Sequence, residues 1–232
     1  MRVLVACEES QQVTKAFRAA GHEAYSCDVQ PCSGGHPEWH IQQDVFTAIN
    51  GFGKCDLLIA HPPCTFLTVA NTYITRGCSK YTKEQAVTMQ KEAIDFFLAF
   101  TQIDIEKVCI ENPIGIMSRH YRKPDQIIQP WWYGDPESKA TCLWLKGLPE
   151  LKPVRYECDW LFYRCHCGNI FEYEYSKYGC CAGNGERAAK PFWNNQTRSG
   201  QNKLPPSKDR AKLRSKTYPG IARAMAEQWG NL

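Results

Sequence analysis

Two short stretches hold side chains whose types and order could make and break bonds. The first is Ala60-His-Pro-Pro-Cys-Thr-Phe-Leu67. Consecutive prolines fix their own φ angles and remove two amide donors, so they form a stiff turn that presents the Cys64 thiol. A thiol on such a scaffold, near a helix N-terminus or a positive group, can ionise at neutral pH and act as a nucleophile. The alternative is an inert loop cysteine. The second stretch is Val108-Cys-Ile-Glu-Asn-Pro113, in which Glu111 stands just before an asparagine and a proline. A carboxyl at an apolar rim has its charged form disfavoured, so Glu111 is expected to keep a proton and donate a hydrogen bond to a ring nitrogen. Each stretch is weak alone. Together they suggest a nucleophile and an acid aimed at one ring.

The surrounding pattern shows what must hold them. Arg2–Ala6 is a short apolar run with the look of a buried parallel strand. Residues 11–20 have helical spacing, with Val13, Ala16, Phe17 and Ala20 on one face and Gly21 as the stop. His22–Ser26 reads as a second strand closed by Cys27-Asp28, Asp56–Ala60 as a third, and Lys107–Glu111 and Cys142–Leu145 as later ones. An amphipathic helix is predicted over residues 83–100, with Phe96, Phe97 and Phe100 on it, and a last one over Pro219–Trp229, expected to pack on the sheet through Ile221, Ala222, Met225 and Trp229. Strands alternating with helices predict an α/β fold with a doubly wound, mostly parallel sheet. Ligands of such sheets sit at the carboxyl ends of the strands. That edge collects Cys7-Glu8, Asp28, His61-Pro-Pro-Cys64 and Glu111-Asn-Pro113.

With these residues in view, the chain resembles the cytosine carbon-5 DNA methyltransferase family, in particular the small single-domain members that phages encode. The resemblance rests on Pro63-Cys64 after one strand and Glu111-Asn112 after the next, and covers roughly residues 1–150 and 215–230. It implies a Rossmann-like fold that uses S-adenosylmethionine, with DNA as partner and DNA methylation as the activity. It further implies that Cys64 adds to carbon 6 of a cytosine flipped from the duplex while Glu111 binds ring nitrogen 3. It makes Pro63, Asn112 and Lys139 substrate contacts, Lys139 standing where the family has the first arginine of a Pro-Gln-x-Arg-x-Arg strand. It assigns the cofactor to Cys7, Glu8 and Ser10 in the turn after strand one, Asp28 and Val29 after strand two, Asp44, Pro62, and Thr217 and Tyr218. For Asp28 and Asp44 the alternative is a solvated loop acid. Three differences from the family pattern stand out. The cofactor turn, Cys7-Glu-Glu-Ser-Gln-Gln12, has no glycine, Pro113 replaces a small apolar residue, and Thr141 replaces an arginine. The first predicts a crowded turn or a different chain path.

From Leu151 to about Gly200 the character changes to aromatics, cysteines and turn residues. The expected organisation is a catalytic domain over 1–150, a cysteine-rich insert over 151–202 in the target-recognition position, and a basic linker and helix over 203–232. The chain has 13 cysteines, and five of them fall between Cys158 and Cys181. Such clustering in a reducing compartment points to thiols or ligands rather than disulfides. Cys165, Cys167, Cys180 and Cys181 are the first choice for a structural zinc site, with Cys158 and His166 as substitutes; the alternative is a reduced loop with no metal. The net charge of +4 over 232 residues permits nucleic-acid binding without requiring it, whereas the Lys/Arg cluster within 203–216 could meet phosphates or be a solvated linker. No apolar run approaches a membrane span, and the first residues read as a strand rather than a signal peptide, so a cytoplasmic protein is expected. Two other readings remain open at this stage: a transferase acting on a free pyrimidine nucleotide, and a non-catalytic DNA- or nucleotide-binding relative.

Overall fold

The apolar runs of the sequence form the centre of one sheet. The computed structural model describes residues 1–68, 80–154, 162–164, 170–172, 193–197, 202–207 and 210–232. Its seven-stranded sheet has the order β3-β2-β1-β4-β5-β7-β6. The strands are β1 (Arg2–Ala6), β2 (Glu23–Asp28), β3 (His40–Gln42), β4 (Leu57–Ala60), β5 (Val108–Pro113), β6 (Gln126–Ile128) and β7 (Thr141–Lys146). β1 to β5 are mutually parallel, and β7 runs antiparallel between β5 and β6. The sheet is therefore mixed and mostly parallel, as the alternation of strands and helices predicts.

The helices of this part are α1 (Gln12–Ala19), α2 (Val45–Gly51), α3 (Lys83–Thr101) and α4 (Met117–His120). From β1 the chain steps outward to β2 and β3, then returns to β4 and steps the other way to β5. Right-handed crossovers put the connecting helices of the two halves on opposite faces. Leu4, Ala6, Leu58, Ala60, Val108 and Ile110 form one buried cluster with Val45 and Ala48 of α2, Phe52 just after it, and Phe97 and Phe100 of α3. Strand alternation turns Val3, Val5, Leu57 and Ile59, all fully buried, to the other face, where α1 lies against β1. α3 starts at a capping box: Thr82 Oγ1 accepts from Gln85 N, and Gln85 Oε1 accepts from Thr82 N.

Two details differ from the sequence reading. On α1 it is Thr14, with Val13 and Phe17, that is buried, while Ala20 lies past the helix and is exposed. Thr14 faces inward because its hydroxyl is bonded to Glu8. A later helix, α6 (Pro219–Trp229), buries its expected face, Ile221, Ala222, Met225 and Trp229. Its main packing partner is α1. Gln228 ties it to the segment after β7, its amide exchanging two 2.8 Å bonds with the backbone of Lys152, and Trp229 Nε1 donates to the Pro149 carbonyl.

The chain divides into two units, Met1–Ile128 with Ala140–Lys152 and Lys216–Leu232 in the first, and Gln129–Lys139 with Pro153–Ser215 in the second. The second holds an antiparallel pair, β8 (Phe162–Arg164) with β9 (Ile170–Glu172), and the short helix α5 (Arg210–Ser215). In it Trp131 stacks on Trp193, and Ser138 and Asn195 exchange two hydrogen bonds. The cysteines proposed as zinc ligands, Cys165, Cys167, Cys180 and Cys181, with Cys158 and His166, lie outside the described residues. Among the described residues no group of three or more His, Cys, Asp or Glu could hold a metal ion, and no helix is long and apolar enough to cross a membrane.

Candidate active site

The strand order reverses between β1 and β4, so the crevice at their carboxyl ends is where the topology leaves room for a ligand. Cys7 and Glu8 follow β1 there, and His61 to Cys64 follow β4. β4 and β5 pair with Ala60 opposite Ile110. The next residues in register, His61 and Glu111, therefore turn to the same face, opposite the α2–α3 layer. Their side chains meet: His61 Nδ1 lies 2.7 Å from Glu111 Oε2, with the two side chains only 10% and 8% exposed.

The loop after β4 is tied down almost residue by residue. His61 N donates to the Ala6 carbonyl, which extends the β1–β4 ladder by one step. Asn112 Nδ2 donates to the Pro62 carbonyl at 2.7 Å; Asn112 is buried, and so is Pro62. The Cys64 carbonyl accepts from Leu67 N and Thr68 N, which closes a tight turn, and Gln90 of α3 donates its side-chain amide to the Phe66 carbonyl. Leu67 is fully buried and accepts from Ile116 N, while Thr68 bridges Gly115. Within this frame Pro63 is exposed and Cys64 partly exposed. Asn112 and the close approach of Gly115 thus hold the proline turn that carries Cys64. A side chain at Gly115 would put its Cβ 2.1 Å from the Leu67 carbonyl oxygen, so only glycine lets the two loops approach this closely.

The other cysteines of this region are poor candidates for a thiolate. Burial pushes the Cys7 thiol far up, and the carboxylates Asp28 and Asp44 add to the effect. Burial also raises Cys109, with Glu111 contributing, and raises Cys27 and Cys142 to about 11 each.

The turn after β1 resolves the missing glycines. Cys7 and Gln11 are the two non-glycine residues with positive φ among the described residues, at 60° and 55°. The turn adopts left-handed positions that glycine would fill without strain. Neighbours hold it in place. Gln11 exchanges side-chain bonds with both the N–H and the carbonyl of His36 and reaches the Ser26 hydroxyl. Ser33 N donates to the Glu9 carbonyl at 2.7 Å. Gly34 packs so closely that an added Cβ would lie 2.5 Å from the Gln11 side chain. The segment 30–36 thus straps the turn.

Sequence-selected residues fall into several settings. Glu8 is almost fully buried and its carboxylate caps α1, accepting from Val13 N at 2.6 Å and from Thr14 N and Oγ1. Burial nevertheless raises its proton affinity, against the lowering effects of His61 and of those bonds. Ser10 is buried. Asp28 ends β2, accepts from Gln30 N, and precedes Val29, which is 68% exposed. Asp44 caps α2 through Oδ1, which accepts from Thr47 N and Oγ1 and holds the carboxyl below its usual range. Thr217 is buried and Tyr218 half-buried at the start of α6. Lys139 lies in the second unit, where its Nζ donates to the Arg214 carbonyl. His61, Gln11, Gln90 and Gly115 were given no role by the sequence. For His61 the signal was its place directly after β4, one step ahead of the diproline.

No protein-family model matches the chain, and no curated protein matches it by sequence. Several solved structures are similar. A protein described as a DNA modification methyltransferase from an E. coli prophage matches over 62% of this chain and 46% of its own, with 16% identity and a TM-score of 0.40. The S. pombe Dnmt2 methyltransferase matches over 65% and 52%, with 19% identity and a TM-score of 0.41. A Spodoptera frugiperda DNMT2 variant matches over 68% and 56%, with 14% identity and a TM-score of 0.40. The chain thus spans about half the length of each. These likenesses assign no activity.

Proposed function

We propose that this chain is an S-adenosylmethionine-dependent DNA methyltransferase acting on carbon 5 of cytosine. One observation carries the reading: a Pro-Pro-Cys turn follows β4 while a nearly buried glutamate stands on the neighbouring parallel strand β5, and the turn is held by the asparagine next to that glutamate. A nucleophile and an acid so placed can act on one face and one edge of a planar ring.

Cys64, as thiolate, bonds to carbon 6 of the cytosine. The electron pair of the carbon 5–carbon 6 bond shifts through carbon 4 to ring nitrogen 3, which takes a proton from Glu111. Carbon 5 is now enamine-like and nucleophilic. S-adenosylmethionine, when bound, supplies the electrophilic methyl group. Carbon 5 then loses its proton to solvent, the Cys64–carbon 6 bond breaks, and nitrogen 3 returns its proton to Glu111. Pro63, Asn112 and Lys139 are the proposed substrate contacts.

The cofactor's chemistry fits the residues present. An acid ending β2, followed by an exposed apolar Val29, suits ribose hydroxyls and an adenine ring. Cys7, Glu8 and Ser10 would contribute the strapped turn, whose left-handed positions give the chain path a glycine turn would give. Asp44, Pro62, Thr217 and Tyr218 would complete the pocket. DNA is the proposed partner, met by the Lys/Arg-rich stretch 203–216. A phage-type, cytoplasmic setting and a zinc-stabilised insert belong to the same reading.

The test uses duplex DNA carrying 5-fluorocytosine with S-adenosylmethionine. Fluorine cannot leave carbon 5 as a proton does, so the covalent intermediate accumulates. The expected result is a denaturation-resistant protein–DNA adduct that Cys64→Ser abolishes without changing the melting temperature. Absence of an adduct with the unaltered chain sinks the reading, and methyl transfer to free dCMP in place of DNA would move the activity to nucleotides.

A further inference from the structure

His61 sits against one buried acid and within electrostatic reach of a second. Its Nδ1 is 2.7 Å from Glu111 Oε2, and a proton on the imidazole would favour the ionised form of Glu8, the buried cap of α1. Its position is over-determined. β1 fixes its backbone through the bond to the Ala6 carbonyl, and Pro62 limits the conformations open to it. A buried ring held this firmly against a carboxyl determines that carboxyl's plane. The plane matters, because a proton can pass to a ring nitrogen only along a short, well-aligned bond.

We propose that His61 is a positioning residue for Glu111, donating Nδ1–H to Oε2 so that Oε1 is the oxygen that gives its proton to the base and takes it back. The inference rests on the function proposed above. As the Cys64–carbon 6 bond forms, the Oε1–H bond breaks and the nitrogen 3–H bond forms. The carboxylate left behind is then stabilised by the Nδ1–H bond, which becomes charge-assisted and so stronger. In the last step the proton returns from nitrogen 3 to Oε1. His61 keeps its own proton throughout and fixes a tautomer and a direction, as the orienting acid of a catalytic triad does for its histidine. Two of the ionisable groups that act on the imidazole are Glu111 from β5, in direct contact, and Glu8 from the turn after β1, through its charge.

Two variants separate positioning from packing. His61→Leu keeps bulk and removes the donor; His61→Asn keeps an N–H near the place of Nδ1. Single-turnover adduct formation on 5-fluorocytosine DNA, multiple-turnover methyl transfer across pH 5–9, and thermal melting are measured on the full chain. We expect His61→Leu to lose about 100-fold in kcat at nearly unchanged KM, the scale of a misplaced catalytic group, with its pH–rate profile displaced. His61→Asn is expected to recover most of that loss although both variants melt below the wild type. Wild-type kcat and pH profile in His61→Leu overturn the inference, as do losses in both variants that simply track their melting temperatures. If the unaltered chain itself forms no adduct, the proposed function falls and this inference with it; an adduct with the wild type and with His61→Leu alike overturns the inference alone.

Discussion

The side-chain amide of Asn112 donates to the Pro62 carbonyl at 2.7 Å, linking the end of β5 to the loop that carries Cys64. Pro62 offers no amide hydrogen, so its carbonyl is the backbone group through which this residue can be held, and the donor is itself buried. Asn112→Ala should leave that carbonyl unsatisfied. The expected cost is about 1–3 kcal/mol, read from urea unfolding, together with faster alkylation of Cys64 by iodoacetamide as the turn loosens. Unchanged stability and alkylation rate would show that the prolines alone hold the turn.

Gly115 should be intolerant of any side chain. Its Cβ would fall 2.1 Å from the Leu67 carbonyl oxygen, a backbone atom that cannot swing aside. Gly115→Ala must separate the two loops and break the bond from Ile116 N to Leu67. A loss of about 1–3 kcal/mol is expected, with methyl transfer falling by more than the population of folded protein. Wild-type melting in the variant would mean the loops have another way to dock.

Glu8 should make stability fall as pH rises through the weakly acidic range. Burial raises its proton affinity in the fold, so the folded chain binds this proton more tightly than the unfolded one. Its effect on stability is therefore most favourable below the unfolded value of about 4.3 and declines as pH rises from there through the raised folded value. Glu8→Gln removes this dependence. It also sets an amide nitrogen where Oε1 or Oε2 now accepts from Val13 N or Thr14 N, and should cost about 1–2 kcal/mol at low pH as a lost cap. Parallel urea titrations at pH 4.5 and pH 7 read the difference; equal slopes with pH in both proteins would reject it.

The elements that sequence reveals well are the ones with strong local signals. β1 and β4 are almost wholly apolar and β5 opens on an apolar run, Val108 to Ile110, and the amphipathic pattern over residues 83–100 matches α3 to within one residue. β3 and β6 are strands of only three residues, too short to show an alternation, and form because a neighbouring strand offers its edge; His40 is anchored by Ser26 across the pair. α2 is too short to show a period, and the sequence offers its cap, Asp44, as a cofactor contact or a solvated loop acid rather than as a helix start. Direction is likewise silent: the run Cys142–Leu145 gives no sign that β7 is antiparallel. Cys64 and Glu111 could be picked out because proline, cysteine and an acid before asparagine are unusual at strand ends. The pairing of His61 with Glu111 could not, since it follows from the register of two strands separated by α3. Nor do cysteine and glutamine advertise the left-handed backbone at positions 7 and 11.

That left-handed backbone gives the sharpest test of how the turn after β1 works. At an ordinary φ, alanine is better than glycine by about 0.5–1 kcal/mol. At Cys7, with φ 60°, a side chain carries a penalty of about 1–2 kcal/mol that glycine escapes. Cys7→Gly should therefore be at least as stable as Cys7→Ala, reversing the usual order. The same reversal is expected between Gln11→Gly and Gln11→Ala, but both should lie below the wild type, because each loses the amide bonds to His36 and Ser26. Titration with S-adenosylmethionine links the turn to function. Cys7→Gly keeps the strap and should bind as tightly as the wild type or tighter, whereas Gln11→Gly releases segment 30–36 and should bind more weakly. Alanine variants more stable than their glycine counterparts would show that the turn is not strained, and equal binding by all four variants would place the cofactor elsewhere.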